Sequence, residues 1–365
     1  MNSFNIEEYL ENLSKDDTEI IIIKKNIHYL PEINNFPKLK LLNCGNNKLK
    51  KLPYLPDNLI NLYCQNNELN YLPVLPKKLQ YLYCCYNKLK KIPDLPQDLE
   101  SLYINNNTIN SLPDLPINLQ LLYCNYNKIK YLPRLTENIK ELYCSNNNII
   151  CLPDLPDSLE ILICSNNKLT YLPDLPKNLK ILFCCDNKLV YLPNLSETLK
   201  ELMCSNNKLT YLPDLPESLE ILNCCDNNLT YLPKLPSNIE ELYCNCNKIN
   251  YLPNLPNKIK RLYCFTNQLS YLPNLPVNLM MVDFYNNPIN NLIINNNDIS
   301  LIKSQIELLN LFRYLYYCIK FKNNFRFWLW EKIRKPKIEK KYHPQYLVEN
   351  LINENIDLDM VLSSW

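Results

Sequence analysis

A single 20-residue pattern governs most of the chain. In Leu159–Asn178, LEILICSNNKLTYLPDLPKN, leucine stands at positions 1, 4, 11, 14 and 17 of the unit, cysteine at 6, asparagine at 9 and proline at 15 and 18. The position-9 asparagine returns at every twentieth residue from Asn47 to Asn287, which makes thirteen units in register. A unit this short cannot bury its own apolar residues. It does so only against its neighbours, so a fixed period of this length specifies a solenoid.

The spacing within the unit assigns its parts. Positions 3 to 6 alternate, a period of two that suits a short strand with one face in the core. The second half is barred from helix: Pro173 and Pro176 each remove a backbone donor, and each pushes the residue before it towards extended geometry. It should return as extended, polyproline-like chain without ladder hydrogen bonds. Stacked coils then align their strands in one parallel sheet along the concave face, about 4.8 Å per rung. All five leucines are expected to point inward. The repeated asparagine should bond backbone groups of its own turn and the next.

The pattern LxxLxCxxNxLxxLPxLPxx resembles the leucine-rich repeat over roughly residues 19–300. The doubled Leu-Pro and the 20-residue length are similar to the short subclass found in secreted bacterial effectors. The Asn-, Tyr-, Ile- and Lys-rich composition, with the ending KYHPQYLVENLINENIDLDMVLSSW, resembles the leucine-rich repeat proteins encoded by giant viruses of amoebae. The departure from the family is cysteine instead of leucine at position 6. The resemblance implies a leucine-rich repeat solenoid with the sheet on the concave face, an extended convex face and capped ends. It also implies a protein-binding role, as a host-interaction factor if the source is viral.

Composition removes whole classes of chemistry. The chain has one glycine, Gly45, and two histidines, His28 and His343. Phosphate-cradling loops need several close glycines. Histidine triads and histidine metal sites need more imidazoles than are present. No cofactor and no metal are expected, and the chain is read as a non-enzyme. Eleven of the 17 cysteines occupy position 6, where Ile104 and Phe284 stand in other units, so the position asks for a buried apolar group and cysteine serves as a small hydrophobe. Adjacent pairs such as Cys84/Cys85 and Cys224/Cys225 each have one member directed inward, so a pair cannot aim at a single zinc ion. In-register neighbours on a parallel sheet hold their β-carbons too far apart for an unstrained disulfide. With no apolar leader in MNSFNIEEYLENLSKDD, a reduced, cytoplasmic setting is expected, the host cytoplasm if the protein is viral.

Three parts are expected: residues 1–18 as a helical cap, 19–300 as the solenoid and 301–365 as a helical cap or tail. Ile20, Ile22 and Ile27 start the sheet in a degenerate unit whose stretch Leu30–Leu39 is two residues longer than its counterparts. From Leu301 to Cys318 apolar residues recur at three and four, as in an amphipathic helix. A further helix is read over 343–364, with Pro344 in its first turn. Residues 320–341 mix lysine and arginine with Phe321, Phe325, Phe327, Trp328 and Trp330, a mixture that suits nucleic acid or an anionic membrane surface but is read first as a cap helix with its rings on the core and its charges in water.

Function is sought where side chains face away from the core. Position 5 reads Tyr63, Tyr83, Tyr103, Tyr123, Tyr143, then Ile163, Phe183, Met203 and Asn223, then Tyr243 and Tyr263. The candidate partner-binding residues are Tyr63, Tyr83, Tyr103, Tyr123, Tyr143, Phe183, Tyr243 and Tyr263, because aromatic stripes mark interfaces. The same stripe also suits a cross-strand aromatic ladder that stabilises the sheet. The expected partner is a protein, with neither nucleic acid nor membrane, and the chain a monomer; net charge +2 offers no overall pull on polyanions. Two further readings stand beside the scaffold: a receptor linked to a host ubiquitin ligase, and a virion component. Catalysis by Cys318 is disfavoured because YYCIK places no acid or base beside the thiol.

Overall fold

The computed structural model describes residues 4–293, 298–341, 343 and 345. It divides into two compact units, residues up to Ile302 and residues from Lys303 onward. The first unit is a single parallel sheet of 14 strands in strictly sequential order. The strands run from β1 (Glu19–Ile21) and β2 (Leu41–Asn43) to β13 (Arg261–Tyr263) and β14 (Met281–Asp283), each of three residues. From β2 onward the register advances by one repeat at each step: Leu42 faces Leu62, Leu162 faces Leu182, and Leu262 faces Val282. Only the first step differs, with Ile20 opposite Leu42. The two extra residues there are taken up in one added turn, Phe36 N–H to Ile33, ahead of the Leu39 N–H to Phe36 turn that the regular units also make, and Ile33 and Phe36 are buried.

The core is a set of columns. Positions 1, 4, 6 and 11 are wholly inaccessible through the body of the solenoid, as at Leu159, Leu162, Cys164 and Leu169. Each buried leucine contributes about 1.5–3 kcal/mol before the entropy of ordering it. Position 17 follows the expectation in part of the solenoid: Leu55, Leu75, Leu95, Leu115, Leu135 and Leu235 are buried, whereas Leu155, Leu175, Leu195, Leu215, Leu255 and Leu275 are half-buried. Pro176 and Pro216, which follow two of these, are buried. The extended return leaves position 17 at the margin and turns the second proline ring inward.

The asparagine column joins coils. Asn167 Nδ2 donates to the carbonyls of Cys164 (3.1 Å) and Ser165 (3.2 Å) in its own turn and of Cys144 (3.0 Å) in the preceding coil. Its Oδ1 accepts the Ile149 N–H at 2.9 Å. The second coil served is therefore the preceding one, not the next. Ile149 N–H points along the stacking axis towards the following coil, so an acceptor standing one coil later is the one it meets.

Position 8 is left-handed in every unit, from Asn46 (φ 59°) to Asn286 (φ 52°). The αL region costs most L-residues roughly 1–2 kcal/mol, and asparagine and aspartate least. Asparagine or aspartate fills it in nine of the thirteen units, which is how a chain with one glycine closes thirteen such turns. Thr266 (φ 53°) is a β-branched exception. Thr266→Asn is expected to raise stability by on the order of 1 kcal/mol, read as a higher urea midpoint; an unchanged or lower midpoint would show that the turn is not strained.

At the N-terminus α1 (Ile6–Glu11) is shorter than the 1–18 expected, because Asn5 caps it through Glu7 and Glu8 N–H and Asn12 ends it. It buries Ile6 and Leu10, and Tyr9 Oη donates to the Ile21 carbonyl of β1. After Asn287 the chain turns through a 3₁₀ helix, Pro288–Leu292. A 31-residue helix, α2 (Ile299–Leu329), follows, then a π-helical turn (Trp330–Arg334) and α3 (Lys335–Lys341). Ile302 and Ile306 are buried, but Phe312, Leu315 and Cys318 are exposed, so the expected buried stripe of α2 stops after Ile306. Phe321, Phe325, Phe327, Trp328 and Trp330 are exposed too, which corrects the reading that put them in a core. Phe321, Phe325 and Trp328, spaced by four and three, share one exposed face, with the Phe325 and Trp328 rings stacked at 5.9 Å, while Phe327 lies off that face. The helix read over 343–364 lies outside the described residues apart from 343 and 345.

Candidate functional site

From β2 to β13 each strand buries its central residue and, Ser101 and Arg261 apart, leaves both flanking residues half-exposed, so positions 3 and 5 line the concave face. In-register pairing then places identical side chains one rung apart. Tyr63, Tyr83, Tyr103, Tyr123 and Tyr143 form one continuous stack, with successive ring centroids 4.7, 4.2, 4.5 and 4.1 Å apart and planes within 23° of parallel. Tyr243 and Tyr263 repeat the arrangement at 5.1 Å. Phe183 stands apart from both stacks, opposite Ile163 on one side and Met203 on the other. The structure thus sorts the eight sequence candidates into a five-ring stack, an isolated ring in an aliphatic stretch and a two-ring stack.

Stacking consumes the ring faces and leaves edges and hydroxyls. Tyr123 Oη donates to Glu141 Oε2 at 2.6 Å, and Tyr243 Oη to Glu241 Oε2 at 2.7 Å. Burial, helped by the neighbouring Tyr103, pushes the Tyr83 phenol up to about 12. Burial and the Glu141 contact raise Tyr123 further. These hydroxyls therefore stay protonated and serve as donors; they are not nucleophiles or bases. Between the stacks, Ile161, Ile163, Ile181, Phe183, Met203 and Ile221 form an aliphatic stretch, with Glu201 its one acid at position 3. The face can present apolar area, ring edges and a few hydroxyl donors, and it aligns no nucleophile with a base.

Cysteine chemistry is equally constrained. All 17 thiols are free, and the position-6 column is wholly buried. Burial pushes Cys44, Cys124 and Cys164 up to about 12, and the rest of the column in the same direction. Thiolate, the reactive form, is suppressed throughout the column. In native buffer a thiol reagent should therefore modify exposed Cys318 first and the half-buried Cys85, Cys151, Cys185 and Cys246 slowly, while the eleven column thiols react only in denaturant, as mass spectrometry of labelled peptides would show. Rapid native labelling of Cys164 would contradict the packed column. In the pair Cys224/Cys225, Cys224 lies in the core and Cys225 Sγ meets Asn245 Oδ1 at 2.7 Å, so the two sulfurs serve different surroundings. Among the described residues no group of three or more His, Cys, Asp or Glu is placed to hold a metal ion. Among them, too, no helix is long and apolar enough to cross a membrane.

The position-8 column was missed in the sequence, although its excess of asparagine and aspartate was there to be seen. It adds polar links between rungs beside the concave face, such as Asn166 Nδ2 to Asn146 Oδ1 and Asn206 Nδ2 to Asp186 Oδ1.

No protein-family model matches the sequence, and comparison with the curated proteins finds no match. Solved structures do match. YopM from Yersinia enterocolitica is 36% identical with a TM-score of 0.70, over 71% of this chain and 57% of its own. This chain thus spans little more than half the length of that protein. YopM from Yersinia pestis, described as a leucine-rich effector protein, is 31% identical with a TM-score of 0.59, over 77% of this chain and 91% of its own. The functional domain of InlJ from Listeria monocytogenes, which includes a cysteine ladder, is 26% identical with a TM-score of 0.58, over 72% of this chain and 65% of its own.

Proposed function

Since this chain belongs to the leucine-rich repeat proteins, we propose that it is a non-enzymatic scaffold that holds a partner protein against its concave face. The observation that carries the reading is the continuous run of half-exposed rings and aliphatic side chains along that face, from Tyr63 to Tyr263. Tyrosine gives contact area with little side-chain entropy to lose, and a preformed sheet loses none of its own on binding. The likeness to an effector protein supports a partner from another organism. The 20-residue unit with its doubled Leu-Pro and the resemblance to giant-virus repeat proteins support a host protein in the host cytoplasm as that partner.

The alternative role of the stack, as a ladder that only holds the sheet together, predicts a different result for the same variant. Tyr83→Ser, Tyr123→Ser and Tyr143→Ser together should abolish capture of the partner from an amoebal lysate. The far-ultraviolet circular dichroism should be retained, with stability lowered by about 1–3 kcal/mol through loss of the ring pairs. Capture that survives in the folded triple variant would remove the concave face as the binding surface.

A further inference from the structure

The net charge of +2 conceals a segregation. Positions 10, 12 and 13, the first half of the extended return, hold twelve lysines, no arginine and one acid, Glu68, over the units from Asn47 to Asn267. Positions 16, 19 and 20 of the same units hold eleven acids and six basic residues. The lysines stand exposed, in columns, because in-register coils repeat each position one rung further along. At position 2, by contrast, charges pair off between rungs, as in Lys180–Glu160 at 2.6 Å and Lys260–Glu240 at 2.6 Å. Lys88 is held by Glu68 at 3.0 Å. Lys168, Lys188 and Lys208 occupy three successive rungs, and no acid pairs with them among the described residues. Three residues after each of these comes Tyr171, Tyr191 or Tyr211, with 44% of its surface exposed.

We propose that this lysine–tyrosine edge is a track for single-stranded nucleic acid, bound through its phosphates and base faces without sequence preference. Like charges held in line by a rigid scaffold favour an extended polyanion, since each added phosphate releases counterions at the next rung. Rungs about 4.8 Å apart lie within reach of a flexible phosphate chain, because each lysine stem can swing its head group along the axis. The exposed rings supply stacking surfaces beside the phosphate contacts, which is the combination that single strands use and acidic polypeptides do not. The acidic second half of the return repels the strand and confines it to one edge. The expectation that no nucleic acid is bound rested on net charge, which averages the two halves away. The track is separate from the concave face and does not depend on the role given to it.

The test is fluorescence anisotropy of a labelled oligouridine with the full chain, titrated over a range of salt. Binding is expected at low salt, with a log–log salt slope of about −2 to −3, as for three or four neutralised phosphates on a single strand. Lys168→Glu, Lys188→Glu and Lys208→Glu together should lower affinity at least about tenfold. Tyr191→Ala with Tyr211→Ala should lower it roughly tenfold or more, with the salt slope unchanged. Both variants alter exposed side chains, so their thermal melts should match the parent and certify the fold. Absence of binding at low salt, affinity unmoved by charge reversal, or equal competition by polyglutamate would each overturn the proposal.

Discussion

Raising the pH from 8 to above 10 under reducing conditions is expected to unfold the repeat. The cause is the position-6 column. Eleven thiols there are wholly buried, and burial raises each above its ordinary value, to about 12 for Cys44, Cys124 and Cys164. In the unfolded chain the same thiols ionise near the ordinary value of about 8.5. Each therefore has a folded-state value above its unfolded one, so its contribution to stability is complete below about pH 8.5 and is lost as the pH rises towards the folded value. The unfolded state binds fewer protons in that window, and each thiol lowers stability by about 1.4 kcal/mol per pH unit. Summed over the column this reaches on the order of 20 kcal/mol by pH 10, more than the whole stability of a typical domain. The measurement is the thermal midpoint between pH 7 and 10.5, with a variant carrying Ile at Cys144, Cys164 and Cys184, as Ile104 already does in its unit. The parent should lose stability steeply above pH 9 and the variant less steeply, by about three protons' worth of slope. Equal slopes in the two proteins would remove the thiols as the cause.

Asn167→Ala should cost about 2–4 kcal/mol, against roughly 0.5 kcal/mol for an ordinary surface change. The decisive loss is the acceptor for Ile149 N–H, a buried donor that Asn167 Oδ1 receives at 2.9 Å. The carbonyls fare better. Cys144 keeps a bond from Asn147 Nδ2, and Cys164 keeps one from Asn187 Nδ2. Asn167→Asp separates the two functions of the side chain. The carboxylate still accepts from Ile149 but turns negative oxygen towards the carbonyls of Cys144, Cys164 and Ser165, so at neutral pH it should destabilise at least as much as alanine. Urea unfolding of the three proteins reads the difference. An alanine variant within about 0.5 kcal/mol of the parent would show that the column does not join the coils.

Both effects were partly legible in the repeat. A cysteine column interrupted only by Ile104 and Phe284 declares a buried apolar position, and an asparagine in every unit declares a structural task. Neither column tells which coil its side chain reaches. The expectation placed the asparagine's partner in the next coil, and the structure places it in the preceding one. The tyrosine stripe was legible as a stripe. That five of its rings stack face to face while Phe183 stands alone follows from ring orientation in three dimensions. The aromatics of α2 were misplaced for a related reason: apolar composition suggested a buried face, but the face that Phe321, Phe325 and Trp328 share is exposed.

The sequence alone determined the length of the coil, the strand, the extended return and the identity of the core columns, because a period of 20 with two prolines leaves the backbone no other regular stacking. Tertiary structure decided everything that depends on the offset between coils: the direction of the asparagine bonds, the half-burial of Leu175, the ring stacks and the gathering of lysines on one edge. These are distances between residues twenty apart. A one-dimensional pattern shows that such residues are equivalent, and only the rise and twist of the stack bring particular atoms of one coil against those of another.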